Sequence, residues 1–499
     1  MDFVPGSQIT TPLVDAIQEC ATKHHAPFYT PGHKRGQGIS QPLADLLGSA
    51  VFPADLAELP ELDNLFAPEG VIQKAQELAA AAFGAERTWF LVNGSTCGVM
   101  AAILATCNPG DKIILPRNIH QSAIHGLIVS GAIPIFLNPE YDPDSDIAHS
   151  ITPAAVAAAL KQHPDAKAVM MVYPTYYGAC GDVKAIAQVS HQHGIPLLVD
   201  EAHGAHFAFH PELPPAALSA GADLSVQSTH KVLGALTQAS MLHVQGNLVD
   251  SDRVSMALQL LQSSSPSYLL LASLDAARQQ MAIHGKQLMA RTWQLANQAK
   301  TKISQIPGLS VLESANTPGF VALDTTRLTV SVSGLGVTGF EADEILHHKL
   351  GVTSELASLQ HLTFIISLGN TQADIDGLVC ALETLAEKHP QTTANPYLDV
   401  FTRWKAEYLQ IHPSSFIIHP YLSPREAFFS QTETLPLEKA VERISAEIIC
   451  PYPPGIPVLM PGEAIAPAAL DYLQQIVTLG GSITGCTDSS LKTLKVVRK

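Results

Sequence analysis

The chain has little of what marks secreted, zinc-bound, membrane-spanning or nucleic-acid-binding proteins. Its seven cysteines, Cys20, Cys97, Cys107, Cys180, Cys380, Cys450 and Cys486, are scattered, odd in number and never spaced as C-x-x-C. That argues against a disulfide framework and a structural zinc site, and fits a reducing compartment. Charged residues make up only 15% of the chain against 46% hydrophobic, a balance of folded rather than disordered sequences. The 29 Lys and Arg are outnumbered by 45 Asp and Glu, for a net charge of −16, so the basic footprint of a nucleic-acid binder is missing. No apolar run reaches the roughly 18 residues of a membrane span. The start, Met1-Asp2-Phe3-Val4-Pro5-Gly6, lacks the basic residues and apolar core of a signal peptide, and a cytoplasmic protein is expected.

What is present is a regular alternation of helix-like and strand-like stretches. At 499 residues the chain exceeds one core, and four segments are expected. These are an N-terminal arm over 1–40, a major domain over 41–300, a small α+β domain over 301–390 and a C-terminal α+β domain over 391–499. In the arm, Pro27-Phe28-Tyr29-Thr30-Pro31-Gly32-His33-Lys34-Arg35-Gly36 is loop chemistry. Between about 70 and 245, Ala-rich stretches such as Val71–Phe83 alternate with short apolar runs. The runs are Trp89–Val92, Lys112–Leu115, Ile133–Leu137, Ala168–Val172, Pro196–Val199 and Leu224–Val226. The fold class that follows is α/β, with a mostly parallel sheet wrapped by helices. After about 300 the strands shorten (Leu328–Val332, Leu362–Ile366) and mix with helices such as Glu341–Leu350 and Thr371–Lys388. His389–Pro396 has the composition of a linker to the last unit.

In such sheets ligands bind beyond the carboxyl ends of the strands. There the sequence places Asn93-Gly94-Ser95-Thr96, Pro116-Arg117-Asn118-Ile119-His120, Asp200-Glu201-Ala202-His203 and Gln227-Ser228-Thr229-His230-Lys231. Together they offer an anion-binding helix start, aromatic bases, an acid and a lysine, which are the needs of pyridoxal 5'-phosphate. Gly94, Ser95 and Thr96 would cradle the phosphate, with Ser228 and His230 adding to them. Asp200 would keep the ring nitrogen protonated, His120 would stack on the ring, and Lys231 would supply the amine. His203, on the run that begins with Asp200, is counted with the cofactor-binding residues. A metal site at His203, His206 and His210 is the competing reading of that stretch, but no carboxylate or Cys completes the set, and no metal is expected.

These residues belong to longer runs that resemble a family. The runs are Phe28-Tyr29-Thr30-Pro31-Gly32-His33-Lys34, Ala67-Pro68-Glu69-Gly70, Phe90-Leu91-Val92-Asn93-Gly94-Ser95-Thr96 and Pro174-Thr175-Tyr176-Tyr177-Gly178. They continue through Asp200–His206, Ser228–Lys231, Ser264-Ser265-Pro266-Ser267-Tyr268, Pro451-Tyr452-Pro453-Pro454-Gly455-Ile456-Pro457 and Pro461-Gly462-Glu463. In this order the chain resembles the bacterial ornithine/lysine/arginine decarboxylases of the aspartate-aminotransferase fold (fold type I), in their shorter form. The resemblance implies a pyridoxal-phosphate carboxy-lyase that turns arginine, lysine or ornithine into agmatine or a diamine plus carbon dioxide, in polyamine biosynthesis. It implies Lys231 as the Schiff-base lysine and Asp200 as the partner of the ring nitrogen. It also implies a homodimer, in which hydroxyls near Ser263 reach the neighbouring subunit's phosphate and Glu463 lies near the substrate's distal cation.

Two positions depart from the family pattern. His-Lys-Ser becomes His120-Gln121-Ser122, and Leu-Asp-Asp-Leu-His becomes Leu62-Asp63-Asn64-Leu65-Phe66. Two alternatives stand beside the decarboxylase: an aminotransferase or other lyase on the same scaffold, since reaction type depends on which Cα bond is held perpendicular to the ring, and, on the Gln121 and Phe66 changes, a cofactor-binding but inactive homologue that acts by pairing. A hydrolase using the three histidines is a third. The sequence leaves open which basic amino acid is the substrate.

Overall fold

The computed structural model describes residues 8–389, 417–418, 421–452 and 455–498. Residues 1–7 of the expected arm, 390–396 of the expected linker, and Pro453-Pro454 lie outside these. The first half of the chain runs α1 (Pro12–Thr22), α2 (Val71–Phe83), β1 (Arg87–Leu91), α3 (Gly94–Thr106), β2 (Lys112–Pro116), α4 (Gln121–Ser130) and β3 (Ile133–Leu137). It continues through α5 (Pro153–Gln162), β4 (Ala168–Val172), α6 (Val183–Gln192), β5 (Leu197–Asp200), β6 (Leu224–Gln227), α7 (Thr229–Val232) and β7 (Ser240–Val244). Then come α8 (Ser251–Leu261), α9 (Tyr268–Ile303), β8 (Arg327–Ser331), α10 (Gly339–Ile345), β9 (His361–Ile365), α11 (Gln372–Lys388) and α12 (Pro467–Thr478). The described residues fall into two compact units. The first holds those up to Ala105, Val199–Pro211 and Pro215–Ala290; the second holds Thr106–Leu198, Glu212–Pro214 and those from Arg291 onward.

In the first unit β1 pairs antiparallel with β7, and β7 antiparallel with β6, so β1 and β6 point the same way with a reversed strand between them. The sequence reading missed β7. No helical stretch of normal length precedes it: only the single turn α7 and a sharp turn at Gln238, where φ is +86°, separate it from β6. The regular alternation that revealed the other strands is absent there.

The loop before α2 carries one of the two departures, and it is locally satisfied. Asp63, itself at φ +69°, accepts backbone hydrogen bonds from Gly70 N at 2.8 Å and Ile72 N at 3.1 Å, capping the helix start. Burial pushes its carboxyl up, but backbone hydrogen bonds from Glu69, Asn64, Gly70 and Gln73 together hold it below the usual range. Asn64 Oδ1 accepts from Phe66 N at 2.8 Å and so closes the turn.

In the second unit β2 lies between β3 and β4 and runs parallel to both. Residues 417–418 add an antiparallel edge to β3. The strands are buried along nearly their whole length, which accounts for their continuous apolar runs. A smaller antiparallel sheet contains β8 and β9, and its core is closed by Leu378, Leu382 and Leu385 of α11. The expected helix Glu341–Leu350 is realised as α10 followed by a wider turn over Leu346–Leu350. Around α12, Leu473 and Ile476 pack with Ile449, Leu459 and Leu494 in a separate core. Among the described residues no helix is long and apolar enough to cross a membrane.

Candidate active site

The first unit brings together the acid, the lysine and the anion cradle. β5 ends on Asp200, which is only 6% exposed. Its carboxylate accepts one hydrogen bond among the described residues, from Ala202 N at 3.2 Å. Burial drives its pKa upward, while the charge of Lys231 pulls it back down. Lys231 lies in α7, just beyond β6, and its Nζ sits 2.9 Å from His203 Nε2. His203 is buried in the turn that follows β5. The lysine is thus held against an imidazole and near a buried carboxylate.

The cradle forms where β1 turns into α3. Gly94 sits at φ +75°, which L side chains rarely adopt, and lets the chain reverse directly into the helix. Ser228 Oγ donates to Ser95 Oγ at 2.6 Å, joining the cradle to the start of α7. Thr96 is exposed beside Ser95. Gly98 lets the first turn of α3 lie flat on the sheet, because a Cβ there would come within 2.7 Å of both Leu91 and Val226. His230 packs its ring Nδ1 3.1 Å from Ala239 O. Ser263 is exposed, and its N–H donates to Asn93 Oδ1 at 3.4 Å, which ties it to the residue before the cradle.

This chemistry fits pyridoxal phosphate. A nearly enclosed carboxylate with one long hydrogen bond calls for a cationic partner, and a protonated ring nitrogen is such a partner. The N-terminus of α3, flanked by two hydroxyls, suits a phosphate. Among the described residues no three His, Cys, Asp or Glu converge as metal ligands. His206 packs its ring on Phe207, with the centroids 4.7 Å apart.

A polar network that sequence reasoning missed lies one residue past Asp200. Glu201 is fully buried and accepts from Ser225 Oγ at 2.5 Å, Gln227 Nε2 at 2.9 Å and Ala217 N at 2.8 Å. Gln227 Oε1 lies 3.1 Å from His243 Nε2, and His243 Nδ1 lies 2.8 Å from Thr88 Oγ1. Burial raises Glu201 to about 7 and lowers His243 to about 3. The available signal was the polar alternation Ser225, Gln227 within a run read as purely apolar.

His120 and Glu463 belong to the second unit. His120 caps α4: its Nδ1 accepts from Ser122 N at 3.2 Å and lies 2.9 Å from Ser122 Oγ. Glu463 Oε2 accepts from Arg117 Nη2 at 3.0 Å and from Met460 N at 2.9 Å. The sequence reading assigned no role to Arg117.

Comparison with known proteins identifies the family. Residues 11–324 match the family model "Orn/Lys/Arg decarboxylase, major domain", and residues 405–487 match its C-terminal domain. The chain is 39% identical to the arginine decarboxylase of Bacillus subtilis, over 99% of each chain. Its fold is shared with a lysine decarboxylase of Francisella novicida (TM-score 0.81, 23% identity, covering 99% of this chain and 82% of that one). A ureidoglycine-glyoxylate aminotransferase of Bacillus subtilis is a more distant match (TM-score 0.51, 14% identity, 65% and 87% covered). The fold is thus aminotransferase-like, with a mostly parallel sheet and smaller α+β parts towards the C-terminus. The chain belongs to the Orn/Lys/Arg decarboxylase family, an enzyme that uses pyridoxal phosphate to decarboxylate a basic amino acid.

Proposed function

We propose that the chain is an arginine decarboxylase releasing carbon dioxide and agmatine, with Lys231, Asp200 and His120 as its catalytic residues. The observation that carries the site is the Asp200, Lys231 and His203 cluster beyond β5 and β6. The choice of arginine is supported by full-length relatives at about 40% identity that carry that name. When bound, pyridoxal phosphate supplies an electron sink for the pair left at Cα as the carboxylate departs.

The chain's own residues do the rest. Lys231 provides the amine that holds the cofactor between turnovers and returns to release the product. Asp200 keeps a proton on the ring nitrogen by opposite charge in a site with little water. His203, beside the Lys231 amine, orients it and exchanges a proton with it. Gly94, Ser95, Thr96, Ser228 and His230 hold the phosphate, and His120 covers the ring face. Glu463 keeps its second oxygen, Oε1, for the substrate's distal cation.

Pairing with a second copy, with Ser263 serving the neighbour's phosphate, completes this reading. It is supported by Met256 and Leu260, which stand 70% and 69% exposed on the helix that leads to Ser263. The four-segment division of the chain and a cytoplasmic location belong to the same proposal. The test is product analysis of purified holoenzyme with arginine, lysine and ornithine in turn. Agmatine as the main product supports the reading; a diamine from lysine or ornithine, or a keto acid, overturns it.

A further inference from the structure

The segment after β2 is gripped by a part of the chain more than three hundred residues away, and both belong to the second unit. Arg117 is 9% exposed; its backbone N–H donates to Leu137 O at 2.8 Å, while its guanidinium turns to that segment. Its Nη1 donates to Pro457 O at 2.6 Å, and its Nη2 donates to Val458 O at 3.0 Å and Glu463 Oε2 at 3.0 Å. The guanidinium also lies over the Phe136 ring, 5.9 Å from its centroid. Glu463 Oε2 in turn accepts from Met460 N, which closes the Pro461-Gly462-Glu463 turn on itself.

The grip ends on His120. Gln121 N donates to Gly455 O at 3.2 Å. Gly455 sits at φ +85°, and a Cβ there would stand 3.4 Å from His120 Nε2 and 3.3 Å from Gln121 Nε2. Gly455 thus fulfils two requirements, a left-handed backbone and room for a bare Cα against the imidazole. On its other side the ring is fixed by Ser122, through Nδ1. The imidazole is therefore held between its own helix cap and the C-terminal segment.

We infer that Gly455–Glu463 is a clasp that sets the orientation of the His120 ring, with Gly455, Arg117 and Glu463 Oε2 as its positioning residues. This rests on the reading that His120 covers the cofactor ring. It gives Gly455-Ile456-Pro457 and the Pro461-Gly462-Glu463 turn a positioning job besides any contact with substrate, one that acts before substrate arrives. Arg117 cannot be replaced by lysine here, because one ammonium cannot reach two carbonyls and a carboxylate in the same fork geometry.

The test compares Gly455→Ala, Arg117→Lys and His120→Ala holoenzymes with wild type by two readouts. One is the visible circular dichroism of the bound cofactor without substrate; the other is the split between kcat and KM. The clasp predicts that both clasp variants change the dichroic signal in the direction of His120→Ala. It also predicts kcat falling about tenfold or more in both, with KM within about threefold of wild type in Gly455→Ala, which leaves the Arg117–Glu463 pair intact. Two variants acting on different atoms guard against one failing to fold, and retained cofactor absorbance shows which have folded. If His120→Ala alters signal and rate but neither clasp variant does, the clasp is overturned and the role of His120 stands. If His120→Ala alters nothing, the reading of His120 is what failed, and the clasp is overturned with it.

Discussion

Asp200 and Glu201 are neighbours in sequence, both carboxylates, both buried, and they have opposite jobs. Glu201 has three donors within 2.9 Å, two side chains of the neighbouring strand and the Ala217 backbone N–H. Asp200 has one hydrogen bond at 3.2 Å and a lysine charge nearby. A buried acid with all its partners in place locks a structure, whereas one left short of partners is a socket for a cation. On the proposed function, two residues at one strand end thus divide into a site and its support.

The comparison breaks most visibly at the lysine that faces the socket. Lys231→Ala should lower carbon dioxide release by about a thousandfold or more and abolish the covalent absorption band, both read on purified protein. Asp200→Ala should cost about a hundredfold or more with the far-ultraviolet circular dichroism unchanged, since only the cationic partner loses its counter-charge. A near-wild-type rate would remove Asp200 from the site.

Glu201→Gln should act on stability instead, and in a pH-dependent way. The folded carboxyl titrates near 7 against an ordinary value of 4.5, so between these values the folded protein holds a proton that the unfolded chain has lost. Wild-type stability from this group is therefore complete below about 4.5, falls as pH rises, and is fully lost above about 7, a span of about 3 kcal/mol. Glutamine does not titrate, so thermal unfolding of the variant at pH 8 relative to pH 5 should be less depressed than in wild type. Equal pH slopes would contradict the assignment. The smallest effect is expected of Gly98→Ala. Its Cβ meets Leu91 and Val226 at 2.7 Å, and overpacking should cost about 1–3 kcal/mol in denaturant unfolding while the site chemistry persists.

How much of this was legible follows the range of each interaction. Lys231, Asp200 and Ser95 could be placed at strand ends because each follows an apolar run, the part of an open sheet where ligands bind. β7 could not be read, because the chain reaches it through a short turn instead of a helix. Glu201 was hidden because a strand that buries a polar face resembles one that buries an apolar face unless residues two apart are compared. The pairing of Arg117 with Glu463 spans 346 positions, and no local pattern encodes it. Asn64, within one of the two departures, closes its own turn by accepting from Phe66 N.

The most direct test of the account is agmatine formation by Asp200→Ala measured beside Glu201→Gln under identical conditions. The account predicts near-complete loss in the first and a rate within about threefold of wild type in the second. Equal rates in the two variants would contradict it.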